Sequence, residues 1–315
     1  MKNKIKTKKR ILLLLSLTLV IIVSYTTITI FKNYQNNNYN FYIPKFNQAF
    51  NEQKRKLEEQ HYSSKEIDLI LSKISDDNIN YLIENKINKE LLLNIINEKY
   101  YIDNYLEKYI NYYNDNQDKQ IKDIIAIINT HSIDTTKELT DISKKQYTIL
   151  NKYYYIDSSY PNEEEFVTID SKYHLNNTAT KIKRITYDAF IKMYEDAPNE
   201  NKFKITSAYR SFTTPEALYN YETSQNPETD TAQHGHSEHQ TGYSLDIDKP
   251  NKWLKQNAHK YGFILRYPEN KEYLTGYKYN ETHYRYCGIE CATYIYENNI
   301  TYEEYYEYYI KNKNW

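Results

Sequence analysis

Neither glycine nor proline occurs between Lys45 and Tyr160. A stretch of that length without either residue is confined to helices wherever its apolar positions recur at helical spacing. Ser63-Ser64-Lys65-Glu66 has the form of a capping box, and Ile67, Leu69, Ile70, Leu71 and Ile74 follow it. Ile79, Leu82, Ile83 and Ile87 form a second apolar set, continued by Leu91 to Leu106 and Ile121 to Ile128. The pattern predicts three to five short helices over residues 46–145. No residue set in this region carries chemistry, so it is read as a helical stalk, with a spacer preferred to a wall-binding or partner-docking module.

Residues 1–10 hold five lysines and one arginine, and Ile11 to Phe31 runs 21 residues without a charge. At 1.5 Å per residue that run makes about 30 Å of helix, the thickness of a bilayer core. It exceeds the usual apolar region of a signal peptide, and no Ala-x-Ala cleavage site follows. The expectation is a basic cytoplasmic tail (1–10) and an uncleaved transmembrane anchor (11–31). A polar linker (32–45) follows, with everything beyond it outside the cell. A cleaved signal peptide is the alternative.

The net charge of -1 gives no argument for a nucleic-acid partner, and no nucleotide-binding or nucleic-acid motif is present. Mean hydropathy is -0.88, a value that suits disordered chains. Yet aromatics make up 16% of the residues and tyrosine alone counts 38. Disordered chains are poor in aromatics, so the sequence reads as a folded protein whose core uses tyrosine. Cys287 and Cys291 are the only cysteines, too few for a disulfide framework or a thiolate metal site. They are read as two small buried residues, with oxidation to a pair as the alternative.

Residues 234–248 collect three histidines, two glycines and two aspartates. His239 and Asp246 stand seven apart, and a turn at Gly242 lets both converge on one ion. The third ligand must come from elsewhere, and His283 is the best candidate. Two imidazoles and a carboxylate without thiolate suit a catalytic zinc with an open position. His234 and His236 are read as solvated loop histidines without a metal role, and Trp253 and Phe263 as core or cleft wall.

Around this centre the chain reads as a domain of mixed helices and strands over residues 146–315. Strands are expected at Phe166–Ile169, Phe203–Thr206, Leu245–Asp248 and Tyr277–Tyr286. Helices are expected at Thr178–Asp196, Ala217–Thr223, Trp253–Tyr261, Glu290–Asn298 and Glu303–Tyr309. The fold class is therefore α+β: a small mixed or antiparallel sheet flanked by helices, preceded by the stalk and the anchor.

Ser237-x-His239-x-x-Gly242-x-Ser244-x-Asp246 resembles the S-x-H-x-x-G-x-A-x-D signature of the VanY-like D-alanyl-D-alanine carboxypeptidases, with Ser244 for the usual alanine. Ser207-Ala208-Tyr209-Arg210-Ser211, Trp253-Leu254, Ala258 to Pro268 and His283-Tyr284-Arg285-Tyr286 extend the resemblance from about Ile149 to the end. It implies a zinc peptidase that is not of the serine type. It also implies His239, Asp246 and His283 as ligands, and Ser237 in contact with substrate. Arg210 would clamp the free C-terminal carboxylate, which its planar fork can hold bidentately. The implied partner is a peptidoglycan stem peptide ending in D-Ala-D-Ala.

One position departs from the pattern. The family places its general base, a glutamate, three residues before the last histidine; here that residue is Asn280. Glu281 lies two residues before His283. In a regular strand those two residues share a face, which makes Glu281 the expected base. The resulting expectation is a membrane-anchored, extracellular zinc D,D-carboxypeptidase. The alternatives are a catalytically impaired peptidoglycan-binding pseudoenzyme, or an L,D-carboxypeptidase or endopeptidase on the same scaffold.

Overall fold

The computed structural model describes residues 49–158, 160, 165–175, 181–211 and 230–313. The expected anchor and linker, and the expected helix Ala217–Thr223, lie outside the described residues. Among the described residues no helix is long and apolar enough to cross a membrane.

The chain divides into two compact units, with the break between Leu93 and Asn94. In the first, α1 (Ser64–Lys73) starts at the foreseen capping box. The Glu66 carboxylate accepts from the Ser63 amide at 2.6 Å, and Ser63 Oγ accepts from the Glu66 amide at 3.4 Å. Helix α2 (Asp76–Asn85) follows, and α3 (Lys89–Asn97) spans the break. Ile67, Ile70, Ile79 and Leu82 are buried, as the 3.6-residue period requires.

The second unit opens with the end of α3, then α4 (Leu106–Asp115) and α5 (Ile121–Asn129). With residues 49–59 also helical, the region holds more helices than the three to five expected. These two helices belong with the sheet domain, whose expected start was residue 146. Ala126 and Ile127 of α5 pack on Leu274, and the Tyr100 ring stacks on Tyr308 with centroids 3.8 Å apart. Sequence periodicity reports which face of a helix is buried, but not against which partner.

The site rests on a four-stranded antiparallel sheet of order β5-β6-β8-β7: β5 Ile205–Ser207, β6 Ser244–Ile247, β7 Phe263–Tyr267 and β8 Asn280–Tyr286. Two small ladders accompany it. One is parallel, β1 (Glu138–Leu139) with β2 (Tyr154–Tyr155); the other is antiparallel, β3 (Phe166–Thr168) with β4 (Lys181–Lys183). The mixed α+β fold is as expected. Strand β7 was not foreseen, because Phe263-Ile264-Leu265 is a continuous apolar run without alternation. Phe263 and Ile264 fall into different core clusters, one on each side of the strand.

The helix expected from Thr178 begins only at Arg184, as α6 (Arg184–Asp196). Residues 181–183 pair with β3 instead, so ladder pairing overrides helical periodicity there. Phe190 and Met193 of α6 meet Leu245, Ile247, Phe263 and Tyr284 of the sheet in the main core. A second core gathers Ile149, Tyr154, Ile264 and Tyr302 around α8 (Ile289–Asn298), after the short α7 (Lys252–Asn257). Cys287 and Cys291 lie in it, free and buried.

Gly235 has φ +82°, and a Cβ there would stand 2.5 Å from the Ile156 carbonyl oxygen. The Ile156 amide donates back to the Gly235 carbonyl at 2.9 Å, so the two backbones cannot separate cheaply. Gly235→Ala should therefore lower stability by about 1–3 kcal/mol. Thermal unfolding of the variant beside the wild type checks this.

Candidate metal centre and substrate cleft

The antiparallel register sets Asp246 of β6 directly opposite His283 of β8. Leu245 and Ile247 turn into the core, so the alternate residue Asp246 faces the other side. His239 arrives from the 3-10 turn Glu238–Thr241, which ends at Gly242 with φ +73°. A Cβ at Gly242 would meet the Phe166 ring at 2.5 Å, so the turn requires glycine.

These three side chains converge, with their ligand atoms within 4.8 Å of one another. His239 Nε2 is 3.1 Å from Asp246 Oδ2, and His283 Nδ1 is 2.9 Å from Asp246 Oδ1. His239 Nδ1 lies 2.7 Å from the Ala208 carbonyl. A carbonyl only accepts, so Nδ1 donates to it and Nε2 is the nitrogen turned toward the carboxylate. His283 Nε2 is buried without a hydrogen-bond partner among the described residues. Burial pushes the Asp246 carboxyl up, but His239 and His283 outweigh it and hold it well below the usual carboxylate range. For His283, burial lowers the imidazole and the Asp246 contact only partly opposes this, so the neutral, metal-binding form is favoured. A carboxylate held between two convergent nitrogens, one imidazole having an orphaned buried nitrogen, fits a divalent cation. The N,N,O donor set suits zinc.

The centre lies in a cleft of about 390 Å³. Arg210 and Ser237 line it as expected. Arg210 Nη2 is 3.5 Å from Asp246 Oδ2, and its Nε and Nη2 donate to Ser207 Oγ at 3.2 and 3.1 Å. Ser237 also caps the 3-10 turn, its amide donating to Gln240 Oε1 at 3.2 Å. His236, expected as a solvated loop histidine, is instead buried, with Nδ1 2.6 Å from the Asn151 carbonyl, because that contact ties the motif to the segment before β2. Trp253 packs against the main core and Phe263 lies within it, as expected.

Glu281 is not brought to the cleft. It is exposed, with Oε2 3.6 Å from Lys255 Nζ and 3.4 Å from the Tyr279 hydroxyl. The cleft wall carries Asn280 instead, whose Oδ1 accepts from the Thr282 amide and hydroxyl at 3.0 and 2.8 Å. The cause is a bulge. Leu265 pairs with Tyr284 but Tyr267 pairs with Asn280, so Arg266 alone spans three residues of β8. A bulge cancels the two-residue alternation on which the expectation for Glu281 rested.

Sequence reasoning also missed Glu238, between Ser237 and His239. It is fully buried against two arginines. Oε1 takes Arg266 Nε at 3.2 Å and Oε2 takes Arg285 Nη1. Ser244, in the usual alanine position, adds its hydroxyl at 3.1 Å. Arg266 continues to Glu303 at 2.6 Å. Burial pushes the Glu238 carboxyl up, but Arg285 and Arg266 more than reverse this and bring it to about 2. The sequence around Glu238 gives no sign of such partners, since Arg266 and Arg285 stand 28 and 47 residues away.

The α+β domain brings His239, Asp246 and His283 together as a set that could hold a metal ion, in a cleft edged by Arg210. A family profile described as VanY, D-alanyl-D-alanine carboxypeptidase, matches residues 179–289. The chain is 32% identical over 208 residues to a D-alanyl-D-alanine carboxypeptidase of Enterococcus faecium, spanning 59% of this chain and 66% of that relative. It is 30% identical over 130 residues to the bifunctional D-Ala-D-Ala dipeptidase and D-Ala-D-Ala carboxypeptidase VanXYC of Enterococcus gallinarum. That match spans 35% of this chain and 68% of the relative. Among solved structures, the LdcB LD-carboxypeptidase aligns with a TM-score of 0.50 and 31% identity over 54% of this chain and 90% of the other. The chain belongs to the VanY D-alanyl-D-alanine carboxypeptidase family.

Glu238 has a folded value of about 2 against an ordinary 4.5. A depressed carboxyl contributes stability above pH 4.5 and loses it as the pH falls toward 2. Glu238→Gln leaves two buried arginines undercompensated and should cost about 3–5 kcal/mol at neutral pH. Denaturant unfolding across pH should find the gap to wild type closing between pH 4.5 and 2; a constant gap would refute this account.

Proposed function

We propose that the chain is a zinc-dependent carboxypeptidase of peptidoglycan stem peptides, releasing the terminal D-alanine from a D-Ala-D-Ala end. One observation carries the reading: a convergent His239, Asp246 and His283 set beside Arg210 in one cleft. Family membership supports it.

When bound, zinc would supply Lewis-acid polarisation of the scissile carbonyl and a more acidic water. The remaining work belongs to the chain. The Ala208 carbonyl holds the His239 ring through Nδ1, so its Nε2 is oriented toward the site in advance. Arg210 sits within reach of the ligand carboxylate, where its fork meets the free carboxylate of a peptide end and fixes the last residue's orientation. Ser237 offers a hydroxyl on the same wall. The buried Glu238 pair holds the turn beneath His239, so the ligand does not drift when substrate enters.

The LdcB likeness favours a second reading on the same site, an L,D-carboxypeptidase cutting a tetrapeptide stem. Because the chain spans 66% of its Enterococcus faecium relative, further parts of that relative have no counterpart in the match. The uncharged run 11–31 and its basic flank support single-pass anchoring with the cleft outside the cell.

Release of free D-alanine from synthetic penta- and tetrapeptide stems tests the reading. Turnover of the pentapeptide, abolished by chelation and restored by zinc, is expected, and Arg210→Lys should raise KM about tenfold or more. Turnover confined to the tetrapeptide would replace D,D with L,D specificity, and turnover of neither would overturn the peptidase. The full chain should sediment with membranes, and a chain starting after Phe31 should not.

A further inference from the structure

Peptide hydrolysis at a metal centre needs a carboxylate or equivalent base to take a proton from the attacking water and deliver it to the leaving nitrogen. The two positions on β8 from which such a base was expected fail this role. Asn280 has no acid, and Glu281 faces Lys255 away from the cleft. Among the described residues, three acids line the cleft: Asp230, Glu238 and Asp246. Asp246 is a ligand in the proposed reading. Both Glu238 oxygens are taken by buried arginines.

Asp230 is different in every respect. It is half-buried, at the start of the described segment that leads into the histidine motif. One oxygen, Oδ2, accepts from the Lys278 amide at 2.7 Å. That bond fixes the carboxylate against the chain two residues before Asn280, on the wall where a base is missing. Its charge reaches the cleft interior: Tyr277, another lining residue, is raised first by burial, with Arg266 opposing and Asp230 adding to the rise.

We infer that Asp230 is the proton acceptor of this site, a catalytic carboxylate supplied by the loop before the histidine motif in place of one on β8. The inference rests on the peptidase reading above. In the step, the water oxygen bonds to the carbonyl carbon while one water proton passes to Asp230. The proton then goes to the peptide nitrogen as the C–N bond breaks, leaving a shortened peptide acid and a free amino acid. No other reactant is required.

Asp230→Asn is the decisive variant, because its side-chain oxygen can still accept from the Lys278 amide and the loop keeps its anchor. Loss of turnover by about 100-fold or more is expected, the scale of a general base, with bound zinc unchanged by elemental analysis. Adding Asn280→Glu to that variant should restore part of the rate. A second readout does not depend on turnover. In cobalt-substituted protein, Asp230→Asn should shift the pH midpoint of the visible spectrum by at least about half a unit, since a charge near the attacking water is removed. Retained turnover with an unmoved midpoint overturns the inference. If the wild type proves inactive the peptidase reading falls, and the cobalt midpoint alone then decides whether Asp230 addresses the metal site.

Discussion

A carboxylate buried between two arginines holds this domain together. Glu238, Arg266, Arg285 and Glu303 are four charges with essentially no exposure, and they balance to zero. Their remaining donors are not left idle. Arg285 Nη2 donates to the Thr148 and Gln146 carbonyls at 2.5 and 3.0 Å, and Arg266 Nη2 to the Leu150 carbonyl at 3.3 Å. One network therefore ties the 3-10 turn, β7, β8, the segment before β2 and the C-terminal helical turn. Such a set gives little net stability against an apolar replacement, but breaking it leaves an uncompensated buried charge. The convergent histidines inherit this rigidity, since His239 follows Glu238 directly and His283 is two residues from Arg285 on the same strand.

The same economy governs the tyrosines. Burying a tyrosine costs least where its hydroxyl finds an acceptor, and among the described residues Tyr284 is a core tyrosine whose buried hydroxyl has none. Tyr154 donates to Glu307 at 2.5 Å, Tyr109 to Asn129 at 2.5 Å and Tyr160 to the Thr241 carbonyl at 3.1 Å. The partners come from distant parts of the chain, so polar side chains at helix ends act as core residues here. This is how a chain of low mean hydropathy reaches a folded state.

The convergence of His239, Asp246 and His283 was legible because it is local in part: His239, Gly242 and Asp246 lie within eight residues. The α1 cap was legible for the same reason. Glu281 was misplaced because an ideal strand was assumed, and nothing in Asn280-Glu281-Thr282-His283 announces a bulge. The membership of α4 and α5 in the second unit, the strand nature of β7 and the partners of Glu238 all depend on contacts across tens of residues. Local period and propensity carry no information about those.

The surplus residues in β8 give the strand slack at its open end. Upstream of the slip, a side chain can be exchanged, or the segment reset by a residue, without dragging His283 out of register with Asp246. The ladder from Tyr284 to Tyr286 behaves as a clamp, and the stretch from Asn280 to Thr282 as a free arm. The pairing that holds His283 opposite Asp246 is thereby mechanically separable from the cleft wall upstream, so each can be altered by substitutions that leave the other in place.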